Sequence, residues 1–148
     1  MKAGENTRQM ATDRQRNEPS SQSGTAVGRV GFLTPWNQSC GLATYAKFLV
    51  SELERQKVDF IVFAEAGEIT TAKDEPFVRR CWRRLSSAAP SPDYTELRRE
   101  IERSGISILH INCQARFFAS APFRELLASV RATGVRVVVQ LHNLFTVS

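Results

Sequence analysis

Arg29-Val-Gly-Phe-Leu-Thr34, closed by Pro35, leads through Thr34-Pro-Trp-Asn-Gln-Ser-Cys-Gly41 to Leu42, Tyr45, Ala46, Leu49 and Leu53 at helical spacing, then to Val58-Asp-Phe-Ile-Val-Phe-Ala64. The outer runs are rich in β-branched and aromatic residues, and the middle one keeps its apolar side chains on one helical face through Gln56. The order therefore reads strand, helix, strand. The second strand is too apolar to leave either face in water, which puts it inside a sheet covered on both sides. Together these segments predict a βαβ unit.

The alternation continues toward the C-terminus. After a turn-rich segment, Phe77 to Trp82 predicts a third strand, and Pro90-Ser-Pro-Asp93 precedes a helix with Tyr94, Leu97 and Ile101 on one face. Ile106 to Ile111 predicts another strand. Ser120 is placed to cap a helix with Pro122 in its first turn, carrying Phe123, Leu126, Leu127 and Val130 as far as Gly134. Val135 to Leu141 is the last strand, expected to be central in a complete sheet. Right-handed crossovers arrange these strands as an α/β, Rossmann-like, mainly parallel sheet with helices on both faces.

Composition agrees with one such domain. The 148 residues are 42% apolar and 24% charged, with formal charge +5, which excludes collagen-like, coiled-coil and wholly disordered chains. No apolar stretch approaches the ~18 residues of a membrane-spanning helix. The small positive surplus favours anionic partners without choosing among phosphates, lipids and nucleic acid. Residues 1–27 contain Met1, Met10 and Val27 as their only sizeable apolar side chains and have nearly balanced charges, so a disordered tail is expected, leaving 28–148 as the folded part. Cys40, Cys81 and Cys113 form no CxxC pair and cannot all be bridged, which argues for a reducing cytoplasm and against a disulfide scaffold or a metal site. Nothing at the N-terminus has the pattern of a secretory signal.

Ligands on such sheets bind at the carboxyl ends of the strands, here residues 34–41, 64–67, 112–120 and 142–148. In the first loop Gly41 lets a phosphate approach the backbone at a helix N-terminus, with Asn37, Gln38 and Ser39 as hydrogen-bond donors. The segment reads equally as a plain connecting turn, because GxGxxG and GxxxxGK[ST] are both absent. Glu65 occupies the place of a ribose-binding acid, but the missing glycine triplet disfavours a nicotinamide oxidoreductase. His142 ends an apolar strand, where an imidazole either bonds a sugar hydroxyl or phosphate or simply caps the strand. His110 shares strand parity with Ile106 and Ile108 and reads as a satisfied core histidine. Asn112 and Gln114 are lesser polar candidates on the exposed side, and Cys40 is assigned to packing. Arg79 to Arg84 includes four arginines, read as an edge strand with its charges in water in preference to a patch for acidic lipid or nucleic acid.

The run Val30-Gly-Phe-Leu-Thr-Pro-Trp-Asn-Gln-Ser-Cys-Gly-Leu-Ala-Thr-Tyr-Ala-Lys-Phe-Leu49, with Ile108-Leu-His-Ile-Asn112 and Val137-Val-Val-Gln-Leu-His142 in order, resembles family 4 retaining glycosyltransferases of the GT-B fold, particularly bacterial ones. The resemblance covers 28–148. It implies two Rossmann-like domains across a cleft, the N-terminal one binding a saccharide or lipid-linked acceptor and the C-terminal one holding a nucleotide-sugar donor. Gly41 would approach the donor diphosphate and His142 would assist catalysis at the sugar. No cofactor beyond the donor substrate is implied, and no nucleic acid. The location implied is cytoplasmic, with room for peripheral contact at the inner face of the membrane.

Two departures qualify this. Related sequences often carry Gln, an aromatic or His, then Glu where this chain has Asn112-Cys113-Gln114, and a neutral Gln114 is no carboxylate. The sequence also ends six residues after His142. The expectation is an incomplete N-terminal half of a GT-B fold, a fragment or one half of a split enzyme, inactive without a separate donor-binding domain and exposing an apolar edge at Val135 to Leu141. The alternative is a non-catalytic binding or regulatory module on the same fold.

Overall fold

The computed structural model describes residues 28–67, 70–83, 92–114 and 120–142. The expected tail at 1–27, the turn at Pro90 and Ser91, Arg84, and the loop residues 115–119 and 143–148 lie outside the described residues.

Among the described residues five strands form one sheet: β1 Val30–Leu33, β2 Phe60–Glu65, β3 Val78–Trp82, β4 Ile108–Cys113 and β5 Arg136–Leu141. The described helices are α1 Gly41–Arg55, α2 Thr95–Ser104 and α3 Ala121–Ala132. Every pairing is parallel and the order is β3-β2-β1-β4-β5. This is the Rossmann-like α/β sheet the alternating periods predicted, with the chain crossing from one side of β1 to the other between β3 and β4.

Strand parity divides the core. Val30, Phe32, Val62, Ala64 and Val78 face α1 and pack on Ala46 and Val50. Leu33, Ile61, Phe63, Leu109 and Ile111 face the opposite side, where α2 and α3 bring Leu97, Ile101, Phe123, Leu126 and Val130. Both faces of β1 are thus covered, which is why Val-Gly-Phe-Leu contains no polar side chain. Gly31 belongs to this packing, because a Cβ there would stand 2.6 Å from the Phe63 ring and 2.7 Å from Ile106. Full burial of an aliphatic residue such as Leu97 contributes about 2 kcal/mol.

Local chemistry sets the ends of the helices. The Ser120 side chain accepts from the Phe123 N–H at 3.3 Å and Pro122 sits in the first turn of α3. Gly105 and Gly134, at φ 62° and 86°, take the left-handed turns that stop α2 and α3. Between Ala64 and Glu65 the β2–β3 register slips by one residue. The bulge turns Cys81 and Trp82 both toward the α2 core while Arg80 points to the other side.

One expectation changes. Ile106 precedes β4 and is buried with Leu109 and Ile111, so His110 does not share its face; it lies with Ile108 on the α1 side. The apolar edge expected at the last strand is present among the described residues: β5 stands at the end of the sheet, with Val138, Val139 and Leu141 each about half exposed, at 47%, 46% and 50%.

Candidate functional site

The carboxyl ends of the strands carry two polar clusters. Around the β1–α1 loop, Asn37 is fully buried at φ 51° and donates from Nδ2 to the Lys73 carbonyl at 3.2 Å and to Asp74 Oδ1 at 3.0 Å. Arg80 reaches in from β3, pairing with Asp74 at 2.7 Å and 2.8 Å and donating to the carbonyls of Glu65 at 2.5 Å and Trp36 at 3.1 Å. Trp36 Nε1 donates to Glu75 Oε2 at 2.8 Å, and Gln38 Nε2 lies 3.4 Å from Glu65 Oε2. The hydrogen bond from Arg80 holds the Asp74 carboxyl below its ordinary value.

These bonds fix where the loop residues point. Asn37 spends its N–H groups on the acidic segment and Gln38 on Glu65, so neither amide is turned to an anion at the helix. Ser39 and Gly41 are exposed, and nothing lies within 4 Å of the Gly41 Cβ direction. Cys40 precedes α1 without making a side-chain cap, and no acidic residue stands in the first turn. Arg80, grouped by sequence with an arginine patch, is a structural tie; Arg79 is exposed on the edge strand β3 and Arg83 is exposed just beyond it, bridged to Asp93, as the reading of an edge strand and its flank expected.

The second cluster lies on the α1 face of β4 and β5. Register sets His110 beside Val138 and Asn112 beside Gln140, with His142 one strand repeat beyond Gln140. Asn112, expected on an exposed side, is fully buried and donates from Nδ2 to Thr34 Oγ1 at 2.9 Å and to the Leu42 carbonyl at 3.2 Å. It thereby ties β4 to β1 and to the first turn of α1. Gln140 Nε2 donates to the Tyr45 hydroxyl at 2.7 Å, and the Tyr45 ring meets the His142 ring edge-on at 4.8 Å. The His110 ring stacks at a tilt on Phe32, 4.6 Å away. Gln114 follows β4, half-buried.

Among the described residues, three buried polar atoms of this cluster have no hydrogen-bond partner: His110 Nδ1, Asn112 Oδ1 and His142 Nε2. His110, expected as a satisfied core histidine, is satisfied at most in part: its Nδ1 lacks a partner among the described residues, while Gln140 lies against the ring. Its pKa is lowered, first by burial and then by His142, with Gln140 partly offsetting both, so it is neutral near pH 7. A buried polar atom without a partner costs ~1–3 kcal/mol, a cost that a polar ligand at these strand ends would offset. Two imidazoles, two amides and a phenol offer both donors and acceptors, with no carboxylate, ammonium or guanidinium among them. That set suits hydroxyl groups, with the Tyr45 ring supplying an apolar wall.

Sequence reading found His110, Asn112 and His142, and the structure brings these three together. It missed Tyr45 and Gln140. Gln140 carried a signal, a polar residue two before His142 on the same face of an otherwise apolar strand; Tyr45 was counted among the helix's apolar positions. Compared with known proteins, the chain matches no family, no curated protein and no solved structure. Among the described residues no helix is long and apolar enough to cross a membrane.

Proposed function

We propose that the chain is the N-terminal, acceptor-side part of a glycosyltransferase that moves a sugar from a nucleotide-sugar donor to a saccharide or lipid-linked acceptor. The observation that carries this reading is the cluster of His110, Asn112, Gln140, His142 and Tyr45 at the sheet's carboxyl edge, whose unpartnered atoms match the hydroxyl groups of a sugar. The motif resemblance in β1–α1, β4 and β5 supports it independently. In this reading His142 hydrogen-bonds the transferred sugar, and Gly41, exposed at the start of α1, lets the donor diphosphate approach the helix N-terminus.

These residues line one wall. An opposing donor-binding domain completes the site, so the 148-residue chain by itself does not turn over nucleotide sugar. The test is a sugar-transfer assay on the chain alone and then mixed with a candidate donor-domain partner. Transfer only in the mixture, with strong loss in His142→Ala, is expected. Turnover by the isolated chain, or a fully active His142→Ala complex, refutes the proposal.

A further inference from the structure

We propose that the outer edge of β5 and the groove beside it dock an extended polypeptide segment in which apolar and acidic residues alternate. The groove, about 840 Å³, lies between β5 and one flank of α3, and it is on the sheet face opposite the polar cluster. Its apolar lining is Leu127, Val135, Val137 and Val139, and Arg124, Arg131 and Arg136 stand around it. Arg124, Leu127, Ala128 and Arg131 fall at i, i+3, i+4 and i+7 of α3, so one helical stripe supplies both the apolar contact and two of the charges.

Each part of this surface specifies something about its occupant. β5 pairs only with β4 among the described strands, so alternate N–H and C=O groups along its other side can accept an added strand. Half-exposed Val138, Val139 and Leu141 flank that edge and favour apolar side chains in the added strand. None of the three arginines forms an ion pair or side-chain hydrogen bond among the described residues, and Glu125 faces a different groove. Three uncompensated positive charges around an apolar strip call for carboxylates on the partner. A second copy of β5 fits poorly, since edge-to-edge pairing would bring arginine-bearing grooves together. Residues 1–27, with four Lys and Arg against three Asp and Glu and few apolar side chains, lack the alternating pattern as well.

The inference does not depend on what the polar cluster binds. Its test is fluorescence anisotropy on the full chain with short labelled peptides of alternating valine and glutamate, valine and lysine, or serine and glutamate. Hydrogen exchange at residues 136–141 reports the site. Saturable binding of the valine–glutamate peptide is expected, with protection of β5. Arg124→Glu/Arg131→Glu, both at exposed positions, should weaken it roughly tenfold and create binding of the valine–lysine peptide. N-methylation of alternate peptide amides should abolish binding, and the serine–glutamate peptide should bind far more weakly. Equal binding of the glutamate and lysine peptides, no binding, or no β5 protection overturns the proposal. So does a concentration-dependent dimer whose formation protects β5, which would make a second copy the occupant.

Discussion

Replacing Arg80 with methionine keeps most of the side-chain stem and removes the guanidinium that ties three segments together. In the wild type it makes two hydrogen bonds to Asp74 and one each to the carbonyls of Glu65 and Trp36. The Arg80 and Asp74 side chains are 20% and 30% exposed, so water replaces part of what is lost at the carboxylate. Each carbonyl left unpaired costs ~1 kcal/mol and the half-screened ion pair about as much again, giving a loss of about 3 kcal/mol. Urea unfolding should show this as a lower midpoint at unchanged slope. Amide exchange in residues 34–41 should also accelerate, because the loop loses its anchor. Asp74→Asn in the same chain should recover part of the loss, since it removes the carboxylate left without its cation. The Asp74 carboxyl is lowered from 3.8 by Arg80. Its contribution is therefore complete above that value, and the gap between wild type and Arg80→Met narrows only as pH falls through the folded value. A loss below ~1 kcal/mol, or unchanged exchange at 34–41, would refute the anchoring role.

His110 should make the fold acid-sensitive. Its folded pKa lies below the ordinary 6.5, so as pH falls through that value the unfolded chain takes up a proton and the folded one does not; urea midpoints at pH 7.5 and 5.5 should differ less in His110→Gln than in wild type, and equal differences would count against it. Among the described cysteines, Cys40 is exposed, whereas the Cys81 thiol is 5% exposed and burial pushes its pKa up to about 12. Iodoacetamide followed by peptide mapping should modify Cys40 well before Cys81, and early loss of the Cys81 thiol would contradict the packing under α2.

The fold was legible because its signals are local. Helical spacing at Leu42 to Leu53, the capping pattern at Ser120 and the turn at Gly134 each act within a few residues. The bulge at Ala64–Glu65 was not legible, because it arises from pairing β2 with β3, and it decides that Trp82 joins Cys81 in the α2-side core instead of following Val78 and Arg80 to the other face. The burial of Asn37 and Asn112 was missed for the same reason: their partners, Asp74 and Thr34, lie 37 and 78 residues away in the chain. The period of two carries Gln140 onto the same strand face as His142, a signal that went unread, and that β4 sets His110 and Asn112 beside them follows only from the register.

The β1–β4 pairing also bears on the order in which the protein can assemble. During synthesis β1, α1, β2 and β3 emerge first and can pair among themselves, whereas β1's other edge waits for β4, 78 residues later along the chain. Closing so large a loop favours late pairing in the folding reaction. Until then Phe32 and Leu33 lie along an open strand edge. The polar cluster is assembled only when that seam shuts, because Asn112 reaches Thr34 and the first turn of α1 across it. A nascent chain halted before β4 would therefore hold most of the α1 core yet only Tyr45 of the surface assigned to the sugar.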